Sequence, residues 1–126
     1  MTIEKLAIVG SRTFNTDKNY AVMCATIDKI RKNNNVITIV SGGARGADSL
    51  AERYADENKL EKKIFKPDHS GGYHPSNYAR RNKKIVNYAD YVIAFWDGKS
   101  KGTKMTINFA KERDVGVKII IIKNEI

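Results

Sequence analysis

Three short stretches hold most of the residues whose types and spacing suit phosphate chemistry. In Gly10-Ser11-Arg12 the glycine permits close approach, the serine offers a hydroxyl, and the arginine offers a planar fork that matches phosphate or carboxylate. In Ser41-Gly42-Gly43-Ala44-Arg45-Gly46-Ala47-Asp48 the glycines bare successive N–H groups, an arrangement that cradles an anion. Asp48 falls in the first turn of the helix that follows, where its simplest role is structural, complementing the helix dipole and free N–H groups. The third stretch runs from Trp96 to Lys104, with Gly98, Lys99, Ser100, Gly102 and Thr103 ahead of an amphipathic helix. Amides of Gly102 and Thr103, the Thr103 hydroxyl and the helix dipole would together seat a phosphate.

A fourth group, Arg81-Asn82, lies within Arg80-Arg81-Asn82-Lys83-Lys84, a run of the kind that usually forms a solvated face. Helical spacing nevertheless places Arg81 on one stripe with Tyr78, Ile85 and Tyr88, so it turns partly inward. An inward arginine needs an anion, and a bound phosphate would serve. Other chemistries are disfavoured. No Gly-Lys-Ser/Thr follows the glycines, which argues against a Walker A loop, and no strict Gly-x-Gly-x-x-Gly follows the first apolar run, which argues against a plain NAD dehydrogenase. One cysteine, Cys24, and two histidines cannot build a typical zinc site, and no metal or cofactor is expected.

The elements that must position these residues are legible in the periodicity. Leu6–Val9, Val36–Val40, Lys63–Phe65, Tyr91–Phe95 and Lys118–Ile122 read as short buried strands. Between them, helical spacing predicts helices from Asp17 to the Asn33-Asn34-Asn35 exit, from Ala47 through Ala55, over Ser76–Tyr88 and over Gly102–Arg113, with 67–75 as a loop. Strands alternating with helices imply right-handed crossovers and a mainly parallel sheet covered on both faces. The expected fold is α/β: one three-layer Rossmann-like domain over residues 1–126, with five strands in the order 3-2-1-4-5. Eight of the nine glycines then follow strands that feed crossover helices, along the rim where open α/β sheets bind ligands; Gly116 is expected to cap a helix end instead.

Composition sets the frame around this. The chain has 126 residues, enough for one domain with a real core, and 23 Lys+Arg against 14 Asp+Glu give a net charge of +9. Such an excess favours phosphate-bearing or polyanionic partners. No apolar run approaches the roughly 20 residues that cross a bilayer, and Met-Thr-Ile-Glu-Lys lacks a signal-peptide pattern, so a cytoplasmic protein without membrane partners is expected.

Taken in order, Gly10-Ser11-Arg12, Ser41-Gly-Gly-Ala-x-Gly-Ala-Asp48, Arg81-Asn82 and Ala94-Phe-Trp-Asp-Gly-Lys-Ser-Lys-Gly-Thr103 resemble the SLOG superfamily, and within it the YspA-like branch. That superfamily includes the Lonely Guy phosphoribohydrolases and DNA-processing protein A. The resemblance implies a nucleotide or nucleotide-derived ligand (ADP-ribose-, NAD- or cyclic-nucleotide-like), held by a sensing or sequestering module that forms a homodimer or higher homo-oligomer. Tyr88, Tyr91 or Phe109 could serve that interface. Lonely Guy enzymes use an arginine on the helix corresponding to that of Arg81, together with a glutamate three residues after their Gly-Thr. Here that second position is Thr106, so Arg81 is the one catalytic candidate and a binding module is preferred to a hydrolase. Nucleic-acid binding, as in DNA-processing protein A, is the remaining alternative, with Tyr73 or Trp96 stacking a base.

Overall fold

Each apolar run becomes a strand that ends where glycine or a polar residue interrupts it. The computed structural model describes residues 2–123; Met1 and residues 124–126 of the expected 1–126 domain lie outside the described residues. Strand β1 (Lys5–Gly10) leads through a short turn to α1 (Asp17–Arg31). The chain then forms β2 (Thr38–Ser41), α2 (Ala47–Glu57), β3 (Glu61–Ile64), α3 (Ser76–Tyr88), β4 (Tyr91–Trp96), α4 (Lys101–Glu112) and β5 (Gly116–Ile121). The strands form one sheet in the order β3-β2-β1-β4-β5, and all four pairings are parallel, so the expected topology is present.

Alternate residues of each strand point to opposite faces, and each face has its own core. Leu6, Ile8, Ile39, Ile93 and Phe95 pack with Tyr20, Met23 and Ile27 of α1 and with Leu50, Ala51 and Tyr54 of α2. Ala7, Val9, Val40, Val92 and Ala94 pack with Ile85 and Val86 of α3 and with Ile107 and Ala110 of α4. Helix α1 starts in a capping box, Thr16 accepting from the Asn19 amide while the Asn19 side chain accepts from Thr16. Cys24 packs half-buried against the first core, as does Tyr91, while Tyr88 and Phe109 pack against the second.

Four local readings need correction. Strand β5 occupies Gly116–Ile121 rather than 118–122 and, as an edge strand, leaves Lys118, Ile119 and Ile121 exposed where a buried strand is expected. Strand β2 begins at Thr38 rather than Val36, because its register with β1 begins at Lys5 opposite Thr38 and the Ile37 amide donates at 2.8 Å to the carbonyl of Glu4, which precedes β1. Strand β3 occupies Glu61–Ile64 rather than Lys63–Phe65, with Glu61, Lys62 and Lys63 exposed, because an edge strand carries charge where a central strand is apolar. Gly116 does not cap a helix. The left-handed residue after α4 is Asp114, at φ 55°, and Gly116 opens β5 opposite Tyr91. A Cβ there would lie 2.6 Å from a Tyr91 ring carbon, so it is close packing against that ring that requires glycine. Among the described residues, no helix is long and apolar enough to cross a membrane.

Candidate functional site

Parallel strands deliver every strand-to-helix turn to one edge, and there the end of β1, the starts of α2 and α4, the face of α3 and the turn after β4 enclose a cleft of about 520 Å³. Gly10 carries β1 to its floor; a Cβ at this position would lie 2.6 Å from the Phe95 carbonyl and 2.7 Å from the Ala47 side chain. The Ser11 amide extends the ladder to Phe95 at 3.1 Å, which turns Ser11 and Arg12 onto the cleft wall. Ser11 is 3% exposed, and its buried Oγ has no partner that satisfies hydrogen-bond geometry. A buried hydroxyl without a partner costs about 1–3 kcal/mol, which a donor or acceptor entering the cleft would recover.

The turn after β2 treats its own carboxylate as the anion. Asp48 Oδ2 accepts from the Ala44 amide at 3.0 Å, and only Ala44 and Asp48 of this turn line the cleft. Burial pushes the Asp48 carboxyl above the ordinary aspartate range, and the Ala44 amide and the Arg81 guanidinium pull against that rise. Ser41, Gly42, Gly43 and Gly46 stand outside the lining, and each glycine has an internal reason to be one. A Cβ on Gly42 would lie 2.5 Å from Arg81 Nη1 and 3.0 Å from Asp48 Oδ2. Gly43 has φ +71° and lies against Ile64 and Lys66, whereas Gly46 has φ +80° and abuts the Arg12 backbone. Ser41 Oγ is buried without a partner beneath this turn, away from the cleft, and Arg45 is exposed to solvent.

Arg81 turns inward as its helical position predicts. Its Nη1 donates to the Gly42 carbonyl at 2.5 Å and its Nε to Asn82 Oδ1 at 2.8 Å, and both residues line the cleft. The anion that answers its charge is Asp48. Arg12 stands near enough for the two guanidinium charges to oppose each other.

The start of α4 supplies the other wall, through Ser100, Gly102 and Thr103. No side chain caps this helix and no acidic residue lies in its first turn, so the nearest carboxylate to its first amides is that of Asp97, just before the helix. Asp97 Oδ1 accepts from the Lys99 and Ser100 amides, both at 2.8 Å, and those bonds hold its carboxyl below the ordinary range. The Ser11 hydroxyl adds a weaker pull on Asp97, at a geometry short of a hydrogen bond. Thr103 Oγ1 lies 3.1 Å from Ser100 Oγ, and Thr106 Oγ1 donates to the Gly102 carbonyl at 3.1 Å. Gly98 and Lys99 lie outside the lining, and Trp96 braces the loop by donating to the Ser100 carbonyl at 3.0 Å.

The lining also takes in residues beyond the phosphate stretches and Arg81-Asn82, among them Tyr73, expected above only as a base-stacking residue for nucleic acid. Tyr73 and Tyr78 form an aromatic wall, their hydroxyls 3.0 Å apart, and Tyr73 is 70% exposed with the His69 ring stacked on it at 4.9 Å. Val9 and Ile85 give the cleft an apolar patch, while Asp97 and Thr106 give it polar edges. The 67–75 loop folds back on the start of α3, where Asn77 holds it through the Gly72 carbonyl, and so brings Tyr73 against Tyr78.

Comparison with known proteins agrees with this architecture. YoqJ, an uncharacterized SPbeta prophage-derived protein of Bacillus subtilis (strain 168), is 24% identical over 68 residues, which are 54% of this chain and 40% of that protein. The chain thus spans under half the length of that relative. DNA processing protein A of Helicobacter pylori, whose structure was described for its single-stranded DNA binding mode, superposes with TM-score 0.71 and 22% identity over 97% of this chain and 67% of its own. DNA processing protein A of Streptococcus pneumoniae superposes with TM-score 0.76 and 20% identity, over 95% of this chain and 51% of its own. At these identities the superpositions establish a shared fold. The model of the YspA, cpYpsA-related SLOG family matches residues 4–72, more than half of the sequence. The chain belongs to that family.

Proposed function

We propose that this domain binds a nucleotide or nucleotide-derived small molecule in the cleft at the C-terminal rim of its sheet. The observation that carries this is the meeting of an uncapped helix start, at Gly102 and Thr103, with the aromatic wall of Tyr73 and Tyr78. The first suits a phosphate and the second suits a base or ribose. Its volume of about 520 Å³ lies within the range typical of small-molecule sites. ADP-ribose-like, NAD-like and cyclic-nucleotide ligands all combine these two chemistries. Isothermal titration with AMP, ADP-ribose, NAD and a cyclic nucleotide tests the reading: at least one is expected to bind at one per chain, and absence of heat from all would defeat it.

Hydrolysis is a second reading, and one observation favours it. Asp48 and Asp97 both reach the cleft beside Arg81, one carboxyl raised by burial and the other held ionised by amides. Cleavage of an N-glycosidic bond uses such a divided pair, one group giving a proton and the other facing the developing oxocarbenium charge. Free base released from nucleoside 5′-monophosphates, followed by chromatography, separates hydrolysis from binding alone. Nucleic-acid binding would draw on the +9 charge instead, and its affinity would fall steeply with added salt.

A further inference from the structure

A second pocket, of about 260 Å³, opens beside the cleft between the 67–75 loop and the first two turns of α3. Its lining gathers Lys66, Arg80, Arg81 and Lys84 around one carboxylate, that of Asp68. The Asp68 charge is already engaged, because Oδ1 accepts from the Ser70 amide at 2.9 Å, and that amide and hydroxyl hold the carboxyl below its ordinary range. Among the described residues, neither Lys66 nor Lys84 forms an ion pair within 4 Å. The first cleft differs. There Arg12 and Arg81 face Asp48 and Asp97, so its formal charges balance. Of the two pockets, the second therefore carries the surplus positive charge, and Arg81 lines both.

The second pocket is also built rather than assembled from mobile lysines alone. Asn77 is 3% exposed and fixes the loop, its Nδ2 donating to the Gly72 carbonyl at 3.0 Å and lying 2.8 Å from His69 Nδ1. The Arg80 guanidinium donates to Asn77 Oδ1, which orients it along this wall. Gly71 and Gly72 bound the opening without side chains, and a Cβ on Gly71 would meet nothing within 4 Å. Several cations lining one pocket favour an anion that enters it, and charge-assisted hydrogen bonds are the stronger ones such an anion can form.

We propose that this pocket is a second phosphate seat, so that the ligand carries two separate phosphoryl groups on either side of Arg81. One group rests at the start of α4 and the other among Lys66, Arg80 and Lys84. The proposal rests on the nucleotide reading above and narrows it to bisphosphorylated nucleotides and phosphorylated dinucleotides. A nucleic-acid strand offers the same repeating phosphates, and the test distinguishes it.

The experiment titrates the full chain at one salt concentration with AMP, adenosine 3′,5′-bisphosphate, the 5′-phosphorylated dinucleotide pApA and a long oligo(dT). The same probes are applied to the Lys66→Ala/Lys84→Ala double variant, which alters only exposed side chains. At least one doubly phosphorylated probe is expected to bind the wild type about tenfold or more tighter than AMP. The double variant is expected to lose most of that advantage while its AMP affinity stays within about twofold, because neither lysine lines the first cleft. If AMP binds and a second phosphate adds nothing, or the advantage survives in the double variant, this proposal fails and the nucleotide reading stands. If oligo(dT) binds and no small probe does, this proposal fails in favour of nucleic acid. Silence from all four probes overturns this proposal, and the nucleotide reading is then decided by the ADP-ribose, NAD and cyclic-nucleotide titrations above.

Discussion

Arg81 Nη1 donates to the Gly42 carbonyl at 2.5 Å, across 39 residues of sequence. That bond joins α3 to the turn after β2 and sets the guanidinium where Asp48 can feel its charge. It places one cation on the wall shared by two pockets.

Arg81→Ala leaves the Gly42 carbonyl without its partner and removes the cation that holds the Asp48 carboxyl down. A stability loss of about 1–3 kcal/mol is expected in urea unfolding. The Asp48 carboxyl should also titrate higher, as followed by carbonyl NMR. Arg81→Lys keeps charge without the planar fork and should fall between the two. A variant that unfolds like wild type, with Asp48 unmoved, would break the proposed link.

Asp48→Asn tests the buried carboxylate through pH. Burial raises this group above the ordinary value of 3.8, so its stabilising contribution is complete below that pH and is lost as pH rises through the folded value. Asparagine cannot ionise and can still accept from the Ala44 amide. The stability of Asp48→Asn relative to wild type should therefore grow as pH rises from about 3.8 through the folded value, each tenfold fall in the acid constant on folding being worth about 1.4 kcal/mol. Urea unfolding across that range measures it, and a difference that shrinks with rising pH would contradict the assignment.

Two glycines of one rim should respond in opposite directions. Gly102 lies in the first turn of α4 with open space around it, so Gly102→Ala should raise the thermal midpoint, by up to about 1 kcal/mol in stability. Gly46 has φ +80° and stands against the Arg12 backbone, so Gly46→Ala should cost about 1–3 kcal/mol or more. Equal effects at the two positions would mean that the turns pack differently.

Gly116→Ala carries a separate test of β5. The new methyl would meet the Tyr91 ring at 2.6–2.7 Å, and overpacking of this kind costs about 1–3 kcal/mol. In a Tyr91→Ala background the same change should be nearly neutral. A double-mutant cycle by denaturant unfolding reads the coupling, and additive losses would place the strain elsewhere.

The sheet was legible because parallel strands buried on both faces leave short apolar runs, and Leu6–Val9 and Tyr91–Phe95 are of that kind. Strand β3 was less so, since its edge position lets Glu61, Lys62 and Lys63 face solvent. The inward turn of Arg81 followed from its stripe with Tyr78 and Ile85. Its partners did not, because Gly42 lies on another element and only the fold brings it near. The glycines of 42–46 read as an anion cradle, yet the structure gives each a packing or backbone reason and fills the turn with Asp48. Composition could not separate a turn that receives a phosphate from one that holds its own carboxylate. Tyr73, in a loop with no periodicity, was visible only as an aromatic without an address.

The central claim is that a phosphate-bearing nucleotide sits between the start of α4 and the Tyr73–Tyr78 wall. Backbone amide NMR during titration with a nucleotide that binds tests it most directly, since amides are the groups said to meet the phosphate. Large shifts are predicted at Ser11, Gly102 and Thr103, with aromatic shifts at Tyr73 and Tyr78, and little change along β3 or β5. Shifts that spare the α4 start and gather on exposed lysines across the surface would contradict the account.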